Sequence, residues 1–333
     1  MNRRLRPVIV DFTGIVLFGI VIYIISFGNS LQKMFQLPSS IYNMSTIFLS
    51  ILIEALPFVL IGVIIAGLIQ IFVTEDHIKR WIPKNKFLAV TMSCVVGACF
   101  PACECGIVPI VRRLIGKGVP IYAGVGFLLT GPLINPIVIM STFMAFGNDL
   151  RIAASRMIIG FVIALVIALI VSLLFKSNQL KHPIPPKTHT HQTSIQQPLT
   201  ERIGSTLIHA VDEFFDMGKY LIIGCLFAAF IQTYVSAEAL VGLGDGLAAS
   251  TVVMMGLAYL LSLCSEADAF IAASFKNLFP TTAILGFLIY GPMMDLKNTF
   301  MLLSVFNSKF VFILISIVTG TVFSILMLIH GFY

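Results

Sequence analysis

Apolar residues run along this chain in long blocks separated by short polar stretches. Hydrophobic segments occupy 8–27, 46–73, 87–111, 121–146, 152–175, 217–236, 249–275, 281–303 and 309–330. A bilayer core takes about 20 helical residues to cross, so the pattern predicts an all-α polytopic membrane protein. The main polar interruption, 176–205, lacks hydrophobic periodicity and is rich in Pro, Thr, Gln and His. It reads as a flexible cytoplasmic linker. His182, His189 and His191 fall within it, where a solvated loop is a simpler reading than metal capture. The expected organisation is an N-terminal transmembrane helix and external loop over 1–45, a first membrane repeat over 46–175, the linker, and a second repeat over 206–333.

Two blocks recur in order. Leu60-Ile61-Gly62 through Ala66 to Ile69-Gln70 reappears as Ile222-Ile223-Gly224 through Ala228 to Ile231-Gln232, an offset of 162. Gly126-Phe127-Leu128-Leu129-Thr130-Gly131-Pro132 reappears as Gly286-Phe287-Leu288-Ile289-Tyr290-Gly291-Pro292, an offset of 160. The first offset maps Glu104 onto Glu266. Internal duplication of this kind is characteristic of transporters, whose substrate sites lie at the repeat interface.

Charge sets the expected topology. Hydrophobic residues make up 58% of the chain and charged residues 11%, against roughly 25% charged in a soluble domain. The net charge of +6 reads as lysine and arginine of cytoplasmic loops, not as a nucleic-acid surface. Arg3, Arg4 and Arg6 precede the run 8–27, which no small-x-small cleavage site follows, so it reads as an uncleaved span with its N-terminus cytoplasmic. If all nine segments cross, the 21 Lys and Arg divide 11 to 10 between the two sides. If 87–111 and 249–275 instead enter and leave on one side, 17 fall inside, Lys297 among them. Only Lys33, Arg151, Arg156 and Lys276 are then left outside. The positive-inside rule favours the second arrangement. It gives two inverted repeats, each of about three transmembrane helices plus one re-entrant or broken helix, with an additional N-terminal span.

Candidate chemistry concentrates in those two segments. Cys99-Phe100-Pro101-Ala102-Cys103-Glu104-Cys105-Gly106 places thiols, a carboxylate and a helix-disrupting proline inside an apolar run. Its weaker counterpart is Cys264-Ser265-Glu266-Ala267-Asp268. Three convergent thiols at Cys99, Cys103 and Cys105 would suit a soft ion such as trivalent arsenic, copper(I) or zinc; small buried residues packing a tight bend is the alternative reading. Cys94 and Cys225 read as ordinary core residues. Glu104 and Glu266 are the stronger candidates, because a carboxylate at membrane depth is costly and serves readily as a proton carrier. Asp268, two residues from Glu266, would repel it were both ionised. Glu54 precedes Pro57 in the second segment and reads either as functional or as an interfacial residue. Gly131-Pro132-Leu133-Ile134-Asn135-Pro136 deletes backbone donors and frees carbonyls around Asn135, forming a polar opening inside a span. Its repeat mate places Asp295 where the first half has Asn135.

The run from Cys99 to Pro136, together with Gly286 to Asn298 (GFLIYGPMMDLKN), closely resembles a predicted permease family that includes the bacterial organoarsenical efflux permeases. The resemblance extends over nearly the whole chain from about residue 46. It implies a polytopic permease of the cell membrane, and by motif position it singles out Cys103, Glu104, Cys105, Pro132, Asn135, Pro136 and Asp295. Some members are encoded beside a smaller membrane protein, which implies such a partner here.

The reading that follows is a permease moving a small solute or ion, with a thiophilic metalloid or metal as one cargo class. It works by alternating access, with carboxylate-based proton coupling. Its rival is a membrane subunit of a hetero-oligomeric envelope complex, an anchor or lipid-linked permease without soft-ion cargo. No HExxH, GxSxG or Walker A motif appears, so neither an enzyme nor a self-contained ATPase is expected, and no cofactor is called for.

Overall fold

Proline, glycine and asparagine cut several of the apolar runs into half-length helices. The computed structural model describes residues 39–74, 78, 80–83, 85–100, 102–175, 177–181, 199–234 and 246–332, with backbone alone over 199–209 and at 332. The expected span at 8–27, the three linker histidines, Lys33 and Pro101 lie outside the described residues. Contacts divide the chain at Thr46, and everything from Ile47 onward forms one unit.

The described residues are nearly all helical, and the only pairing of strand type among them is an isolated bridge between Leu180 and Phe306. The same order of elements appears twice. In the first half, α1 (Ser39–Phe72) is long, α2 (Lys86–Ala98) ends at a break, and α3 (Glu104–Gly116) resumes beyond it. Then α4 (Ile121–Thr130), a second break, α5 (Pro136–Ala145) and the long α6 (Leu150–Leu174) follow. In the second half the corresponding helices are α7 (Leu199–Tyr234), α8 (Leu247–Leu261), α9 (Ser265–Ser274), α10 (Thr281–Met293), α11 (Leu296–Val305) and α12 (Ser308–Ile329). Among the described residues, four stretches are long and apolar enough to cross a bilayer: Ser39–Phe72, Leu150–Leu174, Ala210–Tyr234 and Ser308–Ile329. The chain is an all-α polytopic membrane protein.

Glycine contacts fix how the halves of each broken segment run. Gly97 packs on Thr130, and Gly126 on Ser93 and Cys94, so α2 and α4 are parallel. Gly124 packs on Val111 and Ile115, and Gly131 on Ile107, so α3 runs back antiparallel to α4. The segment expected to be re-entrant is therefore a helical hairpin whose two ends open together. Lys86 Nζ donates to the Ser172 carbonyl at 3.3 Å, and Lys86, Gly118 and Phe175 line one cavity of about 440 Å³. The second hairpin repeats this arrangement: Gly286 lies on Thr251 and Met255, and Gly291 on Ala258, so α8 parallels α10. Asp268 of α9 meets Gly291 near the far end of α10, so α9 returns.

Each second break is stronger than a kink. α4 stops at Thr130 and α5 restarts with Pro136 at its first position, where a missing N–H costs nothing. Asn135 caps α5, its side-chain oxygen accepting the Ile137 N–H at 3.0 Å. Asp295 caps α11 by accepting from Asn298. Together α4 and α5 lie antiparallel along α6, with Gly126 against Ala168, Leu133 against Gly160, and Thr142 against Arg156. In the same way α10 lies antiparallel along α12, through Thr282–His330 and Tyr290–Thr319, and α11 packs on α12 as well. The chain leaving α6 meets the turn before α12: Asn307 N–H donates to Gln179 O at 3.0 Å, and Lys181 N–H to Val305 O at 2.9 Å. Phe175 and Phe310 meet edge to face with ring centroids 4.9 Å apart. Thus α4 begins at the end of the bundle where α11 finishes.

Close helix approach depends on two facing glycines. A Cβ on Gly62 would run into the Gly106 carbonyl, and one on Gly106 would come within 2.8 Å of the Phe58 carbonyl. Gly62→Ala and Gly106→Ala should each lower the thermal midpoint of the detergent-solubilised protein, overpacking of this kind costing about 1–3 kcal/mol. Gly218→Ala, with no atom within 4 Å of its Cβ, should leave the midpoint unchanged. Equal midpoints in all three variants would rule out the α1–α3 contact.

Candidate functional site

The two hairpins meet tip to tip with helix N-termini. α3 starts at Glu104 after the N-cap Cys103, and α9 starts at Ser265 after the N-cap Cys264. Neither cap makes a side-chain hydrogen bond, so the first-turn N–H groups and the positive end of each helix dipole face the centre. α11 contributes a third N-terminus, packed against α3, while α5 packs against α9. The pairing crosses between the halves both times.

Ionisable groups fill this convergence. Glu104, 2% exposed, accepts from Lys297 Nζ at 3.2 Å and from Ser265 Oγ at 3.4 Å. Lys297, 4% exposed, also stands 3.6 Å from Asp295 Oδ2, an ion-pair distance too long for a hydrogen bond. Its ammonium donates further to the Ser262 carbonyl at 3.4 Å. Ser262 ends α8 in the left-handed region at φ 47°, which is uncommon for a residue with a Cβ. That conformation lets its hydroxyl accept the Leu296 N–H at 3.1 Å, tying the second hairpin to the start of α11. Arg156, 1% exposed, donates from one terminal nitrogen to Thr142 Oγ1 at 2.6 Å and from the other to the Ser265 carbonyl at 3.1 Å. It thereby joins α5, α6 and α9. Asp268, 1% exposed, has no protein donor on either oxygen, and the charges of Arg156, Glu104, Asp295 and Lys297 all act on it.

The sequence candidates fall into two groups. Glu104, Asp268 and Asp295 are buried together here, with Asn135 and Pro132 buried at the neighbouring break. Pro136 is exposed and acts as the first residue of α5. Glu266 is half-buried, and the N-caps show why it is not the equivalent of Glu104. Cys103 and Cys264 cap corresponding helices, so the register here is 161, and Glu104 corresponds to Ser265. A one-residue shift turns a helix by about 100°, which places the two glutamates differently. Glu54 is exposed on α1, and Cys264 is half-buried.

The expected three-thiol centre is not assembled. Cys99 ends α2 exposed, Cys103 is half-buried at the N-cap, and Cys105 turns into the core. Among the described residues no group of three His, Cys, Asp or Glu side chains stands ready to hold a metal ion. The break separates Cys99 from the other two, so the four-residue helical spacing that would have put it beside Cys103 does not apply.

Arg156 and Lys297, assigned from sequence to an external and an internal loop, are instead buried at the centre. Without them the expected charge split falls from 17 and 4 to 16 and 3. Both lie within hydrophobic segments, so the criterion that singles out Glu104 would also have found them.

The chain is similar over most of its length to two known proteins. It is 50% identical over 293 residues to the UPF0718 protein YcgR of Bacillus subtilis, covering 88% of this chain and 99% of that one. It is 42% identical over 276 residues to a putative two-component membrane permease complex subunit of Streptococcus mutans, covering 83% and 91%. A shorter likeness, 26% over 124 residues, links 37% of the chain to 33% of the UPF0718 protein MJ0584 of Methanocaldococcus jannaschii. No solved structure matches. Residues 40–331 match the family model ArsP_1, described as a predicted permease, and the chain belongs to that family.

Proposed function

We propose that this chain is the membrane-embedded subunit of a permease that moves a small solute by alternating access between two inverted repeats. The observation that carries this reading is the buried Glu104–Lys297–Asp295 network at the meeting point of two helical hairpins. Discontinuous helices aimed at a polar centre are how transporters build midplane sites. The inverted relation is supported by chain direction, since α4 starts at the bundle end where α11 stops. An anchor that moved nothing would have no use for three buried carboxylates, each costly to desolvate.

The end carrying Lys86, Arg112, Arg113 and Lys117 is cytoplasmic in this reading, because lysine and arginine still gather there once Arg156 and Lys297 are set aside. The N-terminus lies on the same side. Coupling is to protons through the buried carboxylates. A smaller membrane protein is the proposed partner, supported by the Streptococcus mutans relative's description as one subunit of a two-component complex.

For the cargo, the placement of Cys103 and Cys105 on either side of the buried Glu104 at the start of α3 favours a thiophilic metalloid or metal species, exported from the cell. Two thiols with a carboxylate or with thiols of the cargo's own carrier would complete a soft site without Cys99.

Three measurements test these points. Single cysteines replacing Lys86 and Gly118 should both react with an impermeant maleimide from the cytoplasmic side, and those replacing Gly246 and Lys276 both from outside. Labelling of either pair from opposite sides would end the hairpin topology. Glu104→Gln leaves Lys297 without its closest carboxylate, and breaking such a buried pair costs about 3–5 kcal/mol. It should lower the thermal midpoint and abolish function, and adding Lys297→Met should recover the midpoint but not function. A normal midpoint and full function in Glu104→Gln would remove the network from the mechanism.

The cargo test uses a deletion strain challenged with trivalent arsenicals, soft metals and envelope-targeting compounds. Wild-type protein should restore resistance to the soft species. Cys103→Ser with Cys105→Ser should not, although it reaches the membrane in normal amount, since Ser is a hard and poorly ionised replacement. Full resistance in the double variant would end the soft-ion reading and leave a permease of other cargo.

A further inference from the structure

Counting charge around the hairpin tips exposes an imbalance. Three carboxyl groups, Glu104, Asp268 and Asp295, are at least 98% buried there, against two cations, Arg156 and Lys297. Glu104 and Asp295 share Lys297. Arg156 spends its terminal nitrogens on Thr142 and on the Ser265 carbonyl, and pairs with no carboxylate among the described residues. Asp268 is the carboxyl left over.

Helix geometry does not rescue it. Asp268 is the fourth residue of α9, and its own N–H already donates to the Cys264 carbonyl at 2.9 Å. The free N–H groups of the helix start belong to the residues before it. On its other side Asp268 Oδ2 lies where a Cβ on Gly291 would come within 2.8 Å, so bare backbone of α10 encloses it. A carboxylate buried without donors or a paired cation is far costlier than a neutral carboxylic acid. Meanwhile Arg156 Nε is itself buried and without an acceptor.

We propose that Asp268 is the exchangeable proton site of this protein, neutral in the state described here, with Arg156 Nε positioned to receive the carboxylate once the proton leaves. Deprotonation breaks one O–H bond, the proton leaves for water, and the new anion is held by the guanidinium. The groups that act on Asp268 are Arg156 from α6, Glu104 from α3, Asp295 and Lys297 from α11, and Glu266 two residues away on α9. Because Arg156 also holds Thr142 of α5 and Ser265 of α9, its move toward Asp268 would loosen the contact between the first half's α5 and the second half's α9. Proton release thus acts on an interface that alternating access must open. Only this last step rests on the permease reading.

The test is infrared spectroscopy and thermal unfolding of the purified full-length protein, neither of which needs cargo. At neutral pH the wild type should show a protonated-carboxyl C=O band that shifts on 13C-aspartate labelling and is missing in Asp268→Asn. Asp268→Asn imitates the neutral acid without having to take up a proton from neutral solution, so its midpoint should equal or exceed that of wild type, unlike that of Glu104→Gln. Unfolding releases the proton into neutral solution, so wild-type stability should fall as pH rises, and Asp268→Asn should lessen that slope. If Asp268→Asn does not fold, Asp268→Glu decides: its protonated-carboxyl band should shift on 13C-glutamate labelling and no longer on 13C-aspartate labelling. A band that ignores aspartate labelling, or no band at all, overturns the proposal. So does a midpoint raised by sodium over choline in wild type alone, which would place a sodium ion at Asp268. A failed cargo screen would leave the infrared result standing, and the reverse also holds.

Discussion

The Glu104–Lys297 pair is the contact on which this architecture depends. One partner begins a helix in the first half and the other lies in the first turn of a helix in the second half, 193 residues later, with 3.2 Å between charged atoms. At such depth each charge alone would cost several kcal/mol to desolvate, so each needs the other where it is. The pair therefore fixes the α3 tip against the start of α11. It also makes the helix breaks necessary, since unbroken apolar helices would offer neither free N–H groups nor positive dipole ends to an anion at that depth.

The two halves share a frame and divide the chemistry. Cys103 and Cys264, Pro120 and Pro280, and Asn135 and Asp295 are corresponding N-caps. Yet Glu104 corresponds to Ser265, and Lys297 to Ile137 at the offset of 160 that holds for the second break. Identical side chains in both halves would bring like charges together where the hairpins meet. Instead the first half carries the acceptor and the second half the ammonium that needs it. The same division recurs at Arg156, a first-half side chain that donates to a second-half carbonyl.

Much of this was legible in the sequence, and the reasons differ from element to element. The hairpin breaks showed themselves because Pro101, Gly106 and the cluster around Glu104 are inexplicable in a lipid-facing helix. The second breaks showed themselves through Pro132, Pro136 and Pro292, which no intact helix interior tolerates cheaply. Arg156 and Lys297 escaped because long cationic side chains commonly reach from apolar segments to an interface, so counting them with loops was natural. Pairing is a property of the fold: nothing local to Lys297 announces Glu104. The three-thiol centre failed for a related reason. Sequence spacing converts to proximity only along continuous helix, and the break falls between Cys99 and Cys103. The one-residue slip from 162 to 161 likewise became visible only through the caps.

The far end of α3 shows how the centre is coupled to the rest. There Arg113 clasps Glu213 of α7 through two nitrogens, at 2.9 and 2.5 Å, and Arg112 adds a third contact at 3.1 Å. Lys117 caps the last carbonyls of α1, donating to Gln70 at 2.8 Å and also to Val73. One helix of 13 residues, about 20 Å long, is thus held by charge at both ends. The two ends are not equal. The arginines are 22% and 14% exposed, whereas the central pair is nearly sealed. Water and salt weaken the outer contacts far more than the inner one. A rearrangement that moves the first hairpin therefore meets least resistance if it pivots on Glu104 and lets the arginine clasp slide. In the permease reading, the half-exposed end of the hairpin would then be the part that opens, and the sealed tip the part that stays.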